Sequence, residues 1–283
     1  MRRRPGIPIK EFRNFVSIVR RLRRDCPWDR KQTHRSLRHG LIEETYEVIE
    51  ALDGNDLNGL RHELGDLLLH IALHATIAEE AGEFSLRDLL SSASAKLVRR
   101  HPHVFGNARA RSAEEVRKNW EQLKLQEGRT SVLEGVPRHL PALQKALRIQ
   151  QRAATVGFDW TDEKDVWAKV REELEELRGA LRKGTAREKE EEFGDLLFAL
   201  VNYGRFVDVH PEDALRHTID KFTRRFRYIE TVLAQNGKDI HSSTLKEMDA
   251  IWNEAKRKLG RGPRKPAAGK KTLTTRRRHS RRV

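Results

Sequence analysis

Two acidic constellations carry the chemistry this chain could do, one in each half. The first is Glu43-Glu44-x-x-Glu47 followed by Glu63-x-x-Asp66. The second is Glu172-Glu173-x-x-Glu176 followed by Glu192-x-x-Asp195. On a helix, residues three apart share a face. Glu173 and Glu176 therefore point together, as do Glu192 and Asp195, and a short turn near Gly184 would let the two helices pack antiparallel with four carboxylates converging. Asp195 precedes Leu196-Leu197-Phe198-Ala199-Leu200-Val201, and Asp66 sits in Leu64-Gly65-Asp66-Leu67-Leu68-Leu69, so both are expected to be buried. A buried, unpaired carboxylate costs several kcal/mol, which calls for a cation. Oxygen-only ligands select hard divalent ions, Mg²⁺ first and Mn²⁺ second. Gly65 and Gly194, just before each Asp, leave room for close helix approach, a feature that simple packing would use equally.

Basic residues recur at helical spacing downstream of each acidic set. Lys221 and Arg225 are four apart, as are Lys96 and Arg100; Trp252 and Lys256 are four apart, as are Trp120 and Lys124. Carboxylates holding Mg²⁺ beside fixed Lys and Arg form a site for a polyphosphate, with Arg binding oxygens bidentately and Lys acting as a point charge. Trp252 is suited either to stacking on a base or to core packing.

Helices must position these groups. There is no proline between Pro27 and Pro102, or between Pro141 and Pro211. Both windows carry apolar residues at helical spacing, such as Leu41, Tyr46, Ile49 and Leu52, then Val166, Val170, Leu174 and Leu177. Strand-like alternation is scarce. The pattern predicts an all-α chain of about ten helices, near 9–24, 37–53, 57–81, 85–100, 112–126, 139–155, 164–183, 186–207, 211–235 and 243–258, with Asn55 and Gly184 in helix-to-helix turns. From Glu44 to Glu63 is 19 residues, and so is Glu173 to Glu192. Trp28-Asp29 precedes the first copy and Phe158-Asp159-Trp160 the second. Several matches in one order predict two homologous helical-bundle domains, 1–130 and 131–260, with the boundary between Gly128 and Pro141.

The chain has 283 residues and a formal charge of +15. That charge is concentrated at one end: Arg257 to Val283 holds 12 Lys/Arg and no acid, while the first 256 residues carry 45 bases and 42 acids. Residues 261–283, rich in Pro and Gly, are expected to be disordered. They could act as a weak, nonspecific tether for nucleic acid, or only as a solvated extension. Mean hydropathy is −0.75, and no apolar run approaches the roughly 18 residues of a membrane span. No apolar segment follows the basic start, so a cytoplasmic location is expected. Cys26 is the single cysteine, which excludes an internal disulfide and a cysteine-based zinc cluster.

At these residues the sequence resembles the MazG family of nucleoside triphosphate pyrophosphohydrolases. The resemblance spans about residues 9–258 and leaves the tail outside. It rests on the duplicated acidic pattern together with Lys96-Leu97-Val98-Arg99-Arg100-His101-Pro102-His103-Val104-Phe105 and Lys221-Phe222-Thr223-Arg224-Arg225-Phe226. It implies an all-α, Mg²⁺-dependent enzyme that cleaves an NTP to NMP and pyrophosphate, a homodimer, and a housecleaning role against non-standard nucleotides. Carried over residue by residue, it implies that Glu173, Glu176, Glu192 and Asp195 hold the metal, that Lys221, Arg225 and Lys256 bind phosphates, and that Trp252 packs near the nucleotide. The N-terminal counterparts are Glu44, Glu47, Glu63, Asp66, Lys96, Arg100, Trp120 and Lys124. The C-terminal half is the one implied to be active. Asp66 to Lys96 is 30 residues and Asp195 to Lys221 is 26, so the pockets of the two halves are expected to differ. The general base stays open among Glu172, Glu173 and Glu176.

Other signals carry less. His70 and His74 are four apart on an apolar helix, but no Glu follows His70 as a zincin would need, so they read as core or interface histidines. A different function class, a helical nucleic-acid-binding or regulatory protein working through the tail, has no use for four acids set among leucines. A dUTPase-like or dCTPase-like enzyme would share the acid layout.

Overall fold

The computed structural model describes residues 6–110, 112, 115–116, 119–120, 123 and 131–260. The expected tail at 261–283, Lys124 and much of the expected helix at 112–126 lie outside them. Ten α-helices and two short 3-10 turns make up the described residues, with no strand among them. The chain divides into two compact units, Met1–Leu123 and Lys124–Val283.

In the first unit, α1 spans Ile9–Asp25, α2 Arg38–Asp53, α3 Leu57–Glu80, α4 Leu86–Arg100 and the single-turn α5 Pro102–Phe105. Asn55 makes the α2–α3 turn in the left-handed region, φ 53°, which Asn tolerates better than most residues. Asp56 then caps α3 by accepting from the Asn58 and Gly59 amides. Val19 of α1, Leu37, and Ala72 and Leu73 of α3 form the buried core, with Phe15, Leu69 and Ile77 against it.

In the second unit, α6 spans Ala142–Thr155, α7 Glu163–Lys183, α8 Ala186–Phe206, α9 Pro211–Gln235 and α10 Leu245–Lys258. Asp162 caps α7, acids fill its first turn, and Arg182 and Lys183 its last, in accord with the helix dipole. A Thr185/Glu188 capping box starts α8 immediately after the Gly184 turn. A Cβ on Gly184 would lie 2.7 Å from the Ala180 carbonyl oxygen, so this short connection requires glycine. The α7–α8 hairpin is the most extensive helix contact in this unit, as α2–α3 is in the first.

The buried stripe of α7 is Val166, Val170, Glu173 and Leu177. Its spacing of four, three and four residues follows one helix face and draws Glu173 into the core. Asp195 and Asp66, by contrast, are exposed. The leucines around them do not bury them, because Leu197, Leu200, Leu64 and Leu68 are themselves 40%, 42%, 50% and 37% exposed. The expected burial thus belongs to Glu173. A Cβ at Gly65 or Gly194 would meet nothing within 4 Å among the described residues, so neither mediates close helix approach among them.

Candidate metal and nucleotide site

The two helical hairpins bring the predicted acids together. Carboxylate oxygens of Glu173, Glu176 and Glu192 lie within 4.8 Å of one another, and so do those of Glu44, Glu63 and Asp66. Glu47 stands beside this set, its carboxyl raised by burial and by the neighbouring charges of Glu63 and Glu43. Asp195 falls outside its three-carboxylate group but lines, with Glu173, a cavity of about 430 Å³. Burial, reinforced by Glu173 and Glu192, holds the Glu176 carboxyl above its usual range. Burial and then Asp66, Glu47 and Glu63 do the same to Glu44. Carboxylates raised by one another's charge are the condition that a hard divalent cation relieves.

Lys169, not singled out in the sequence, supplies the cation beside buried Glu173. Its Nζ lies 2.7 Å from Glu172 Oε1 and 2.9 Å from Glu173 Oε1, and these two bonds push its pKa up. The signal was present as the four-residue spacing from Lys169 to Glu173. Carrying the Glu44–Glu173 register along the helices matches Lys169 with Gly40. In the first unit the His70 ring fills that place: a Cβ on Gly40 would lie 3.0 Å from His70 Cε1.

The cavity is also lined by Phe158, Asp159, Trp160, Gln150, Asn202 and Arg205. Arg205 holds Asp159 through both carboxylate oxygens, with Nη1 2.8 Å from Oδ2, and donates from Nε to Asn202 Oδ1 at 3.1 Å. The repeated aromatic–Asp element thus anchors an arginine at the cavity wall. Pocket chemistry of this kind, aromatic rings with a few fixed polar groups beside an acidic cluster, fits a nucleotide.

The predicted basic residues form a separate group. Trp252 packs against Phe222 at 5.2 Å, the Arg225 guanidinium lies 5.6 Å from the Trp252 ring centre, Lys256 donates to Asn253 at 3.2 Å, and Lys221 is half-buried on α9. None of these four lines the cavity. In the first unit Lys96 is exposed and Arg100 half-buried on α4, and Trp120 packs on His101 at 5.7 Å.

A profile of the MazG nucleotide pyrophosphohydrolase domain matches the chain twice, over residues 32–105 and 162–229. The chain belongs to this family. A relative from Thermotoga maritima, named nucleoside triphosphate pyrophosphohydrolase/pyrophosphatase MazG, is 44% identical over 250 residues, covering 87% of this chain and 95% of the relative. The nucleoside triphosphate pyrophosphohydrolase of Escherichia coli is 41% identical over 258 residues, covering 88% and 98%. YabN, an uncharacterized protein of Bacillus subtilis, is 47% identical over 252 residues, covering 87% of this chain and 52% of YabN. Each MazG match contains one of the two acidic constellations and the hairpin that assembles it. Among the described residues no helix is long and apolar enough to cross a membrane.

Proposed function

We infer that the C-terminal unit carries the hydrolytic site of this MazG enzyme. The substrate is a nucleoside triphosphate, split between its α and β phosphorus atoms to a nucleoside monophosphate and pyrophosphate. The observation that carries the assignment is the shared position of Glu173, which belongs to the carboxylate cluster and to the cavity wall at once. Glu173, Glu176, Glu192 and Asp195 would hold Mg²⁺, with Mn²⁺ as the alternative; Glu44, Glu47, Glu63 and Asp66 offer the equivalent donors in the first unit. A bound divalent ion neutralises phosphate oxygens and lowers the pKa of coordinated water.

The chain's own groups divide the remaining work. The cavity orients the nucleoside so that its phosphates reach the acids. One of Glu172, Glu173 and Glu176 takes the proton of the attacking water, and Lys169 fixes the first two. Lys221, Arg225 and Lys256 compensate the charge of the leaving pyrophosphate. Because these three do not line the cavity of their own chain, a homodimer that brings them from a second copy is part of this reading. Broad nucleotide-pool housecleaning in the cytoplasm is the accompanying role.

The test is pyrophosphate release from mixed NTPs with and without Mg²⁺, by full-length and tail-deleted protein. Metal-dependent release that is independent of the tail is expected. Glu173→Ala and Asp195→Ala should each remove most turnover while circular dichroism keeps its helix content. Full activity in both variants overturns the metal-site assignment.

A further inference from the structure

Gln150 is 92% buried by its 8% exposure and Asn202 is 5% exposed, and both line the cavity. Their amide orientations are fixed by partners of unambiguous chemistry. Gln150 Nε2 donates to the Phe198 carbonyl oxygen at 2.8 Å; a carbonyl only accepts, so the nitrogen must face it. Gln150 Oε1 is thereby turned away, buried and without a hydrogen-bond partner among the described residues. Asn202 Oδ1 accepts from Arg205 Nε and Nη2, at 3.1 and 2.9 Å. A guanidinium only donates, so Asn202 must present Nδ2 as a donor elsewhere.

The fold does not require these polar groups. In the register set by the acids, Asn202 matches Leu73 and Val166 matches Leu37. Around Leu37 and Leu73 the first unit places Val19 of α1, where the second unit has Gln150 of α6 beside Val166 and Asn202. Val19, Leu37 and Leu73 are one apolar core, at 1%, 5% and 3% exposure. A chain that fills this place with hydrocarbon in one copy has put an unsatisfied acceptor in the other. A buried acceptor left unpaired is a net cost to folding, so a ligand is the natural partner.

We propose that Gln150 and Asn202 are specificity-determining residues that hold the nucleobase by its hydrogen-bonding edge, Gln150 Oε1 accepting and Asn202 Nδ2 donating. This rests on the cavity being the nucleotide site. The common bases each carry a donor next to an acceptor: the amino group and N1 of adenine, the amino group and N3 of cytosine, N1–H and O6 of guanine, N3–H and O4 of uracil or thymine. A base that turns such an edge toward the two amides is held by both, and a ring that lacks one is rejected. Trp160, at the cavity wall, supplies an aromatic face to stack on, which tolerates every base.

The experiment compares dTTP with the triphosphate of a difluorotoluene deoxynucleoside, which keeps thymine's shape but lacks its hydrogen-bonding edge. The wild-type full chain is expected to favour dTTP in kcat/KM by about tenfold or more. Asn202→Asp keeps the bonds to Arg205 but loses the donor, and Gln150→Leu copies the apolar filling of the first unit. Each should lower kcat/KM for dTTP by more than it lowers that for the analogue, bringing the ratio toward one. Gln150→Leu should also melt no lower than wild type, which separates lost recognition from lost folding. Equal losses on both substrates, or a wild-type ratio near one, overturn the base-edge assignment while leaving the hydrolase reading intact. Wild-type protein that turns over neither triphosphate overturns the hydrolase reading and this inference with it.

Discussion

Glu173 is the residue on which the site turns, because it is the one acid of the second constellation that the core claims. Its Lys169 partner is 38% exposed at the side chain while Glu173 is 8% exposed, so the pair is lopsided, with one charge inside and one at the surface. Removing one partner of a fully buried pair costs about 3–5 kcal/mol. Solvent screening of the half-exposed lysine reduces this to about 1–2 kcal/mol for Lys169→Met. The cost should be larger in EDTA than in saturating Mg²⁺, read as urea midpoints, since a bound cation would take over the lysine's electrostatic role. The same logic gives a pH dependence. Glu44 and Glu176 have raised pKa values in the folded chain, so the native state binds more protons than the unfolded state above the ordinary carboxylate value of 4.5. Without metal, the contribution of these groups to stability is most favourable below that value and declines as pH rises through the raised pKa values. Magnesium should reverse the decline, adding about 2.7 kcal/mol at 100 times its Kd. Thermal melts at a series of pH values from the ordinary carboxylate range upward, with Mg²⁺ and with EDTA, test this. Melts in which the ion has no effect at neutral pH would count against the carboxylate cluster as its site.

At the level of elements, the helices were legible because each is punctuated. Pro141 precedes α6, Pro211 begins α9, Asp56, Asp162, Thr185 and Thr244 cap the helices they open, and Gly184 closes α7. The duplicated acids gave the two hairpins directly. What the sequence did not reveal is which face of each hairpin is inside. The run Leu196 to Val201 reads as uniformly apolar, yet only Ala199 and Val201 of it are buried, so the aspartate beside it is wet. Gln150 and Asn202 were invisible for a related reason: a polar residue on an otherwise amphipathic helix is ordinary, and only the apolar Val19 and Leu73 in the sister unit make it significant. Two glycines on or beside α8 separate these effects. Gly184→Ala forces a Cβ against the Ala180 carbonyl, and overpacking of this kind costs about 1–3 kcal/mol. Gly194→Ala meets nothing within 4 Å among the described residues and should stabilise an exposed helix interior by about 0.5–1 kcal/mol. Denaturant titrations of both variants should therefore move in opposite directions. A destabilised Gly194→Ala at every protein concentration would mean that this face is packed within the chain itself.

The scale of the whole molecule decides where the basic residues do their work. Phe193 and Leu197 of α8 are 55% and 40% exposed, and Ile219 and Phe222 of α9 are 55% and 55% exposed. Large apolar side chains left exposed on helices that also carry the acids and cations are suited to covering by another copy of the chain. Sedimentation is expected to give twice the 32.9 kDa chain mass, and Phe193→Asp should shift the protein toward monomer. Complementation then tests whether the site is shared. Glu173→Ala and Lys221→Ala should each be nearly inactive alone. If α9 and α10 of one copy complete the cavity of the other, random mixing puts both intact parts into one of the two sites in half of the dimers. The mixture then recovers about a quarter of wild-type activity. If instead Lys221 serves the Glu173 of its own chain, every site in every mixed dimer carries one lesion and no activity returns. The recovered fraction therefore distinguishes a composite site from a self-contained one without any structure of the complex.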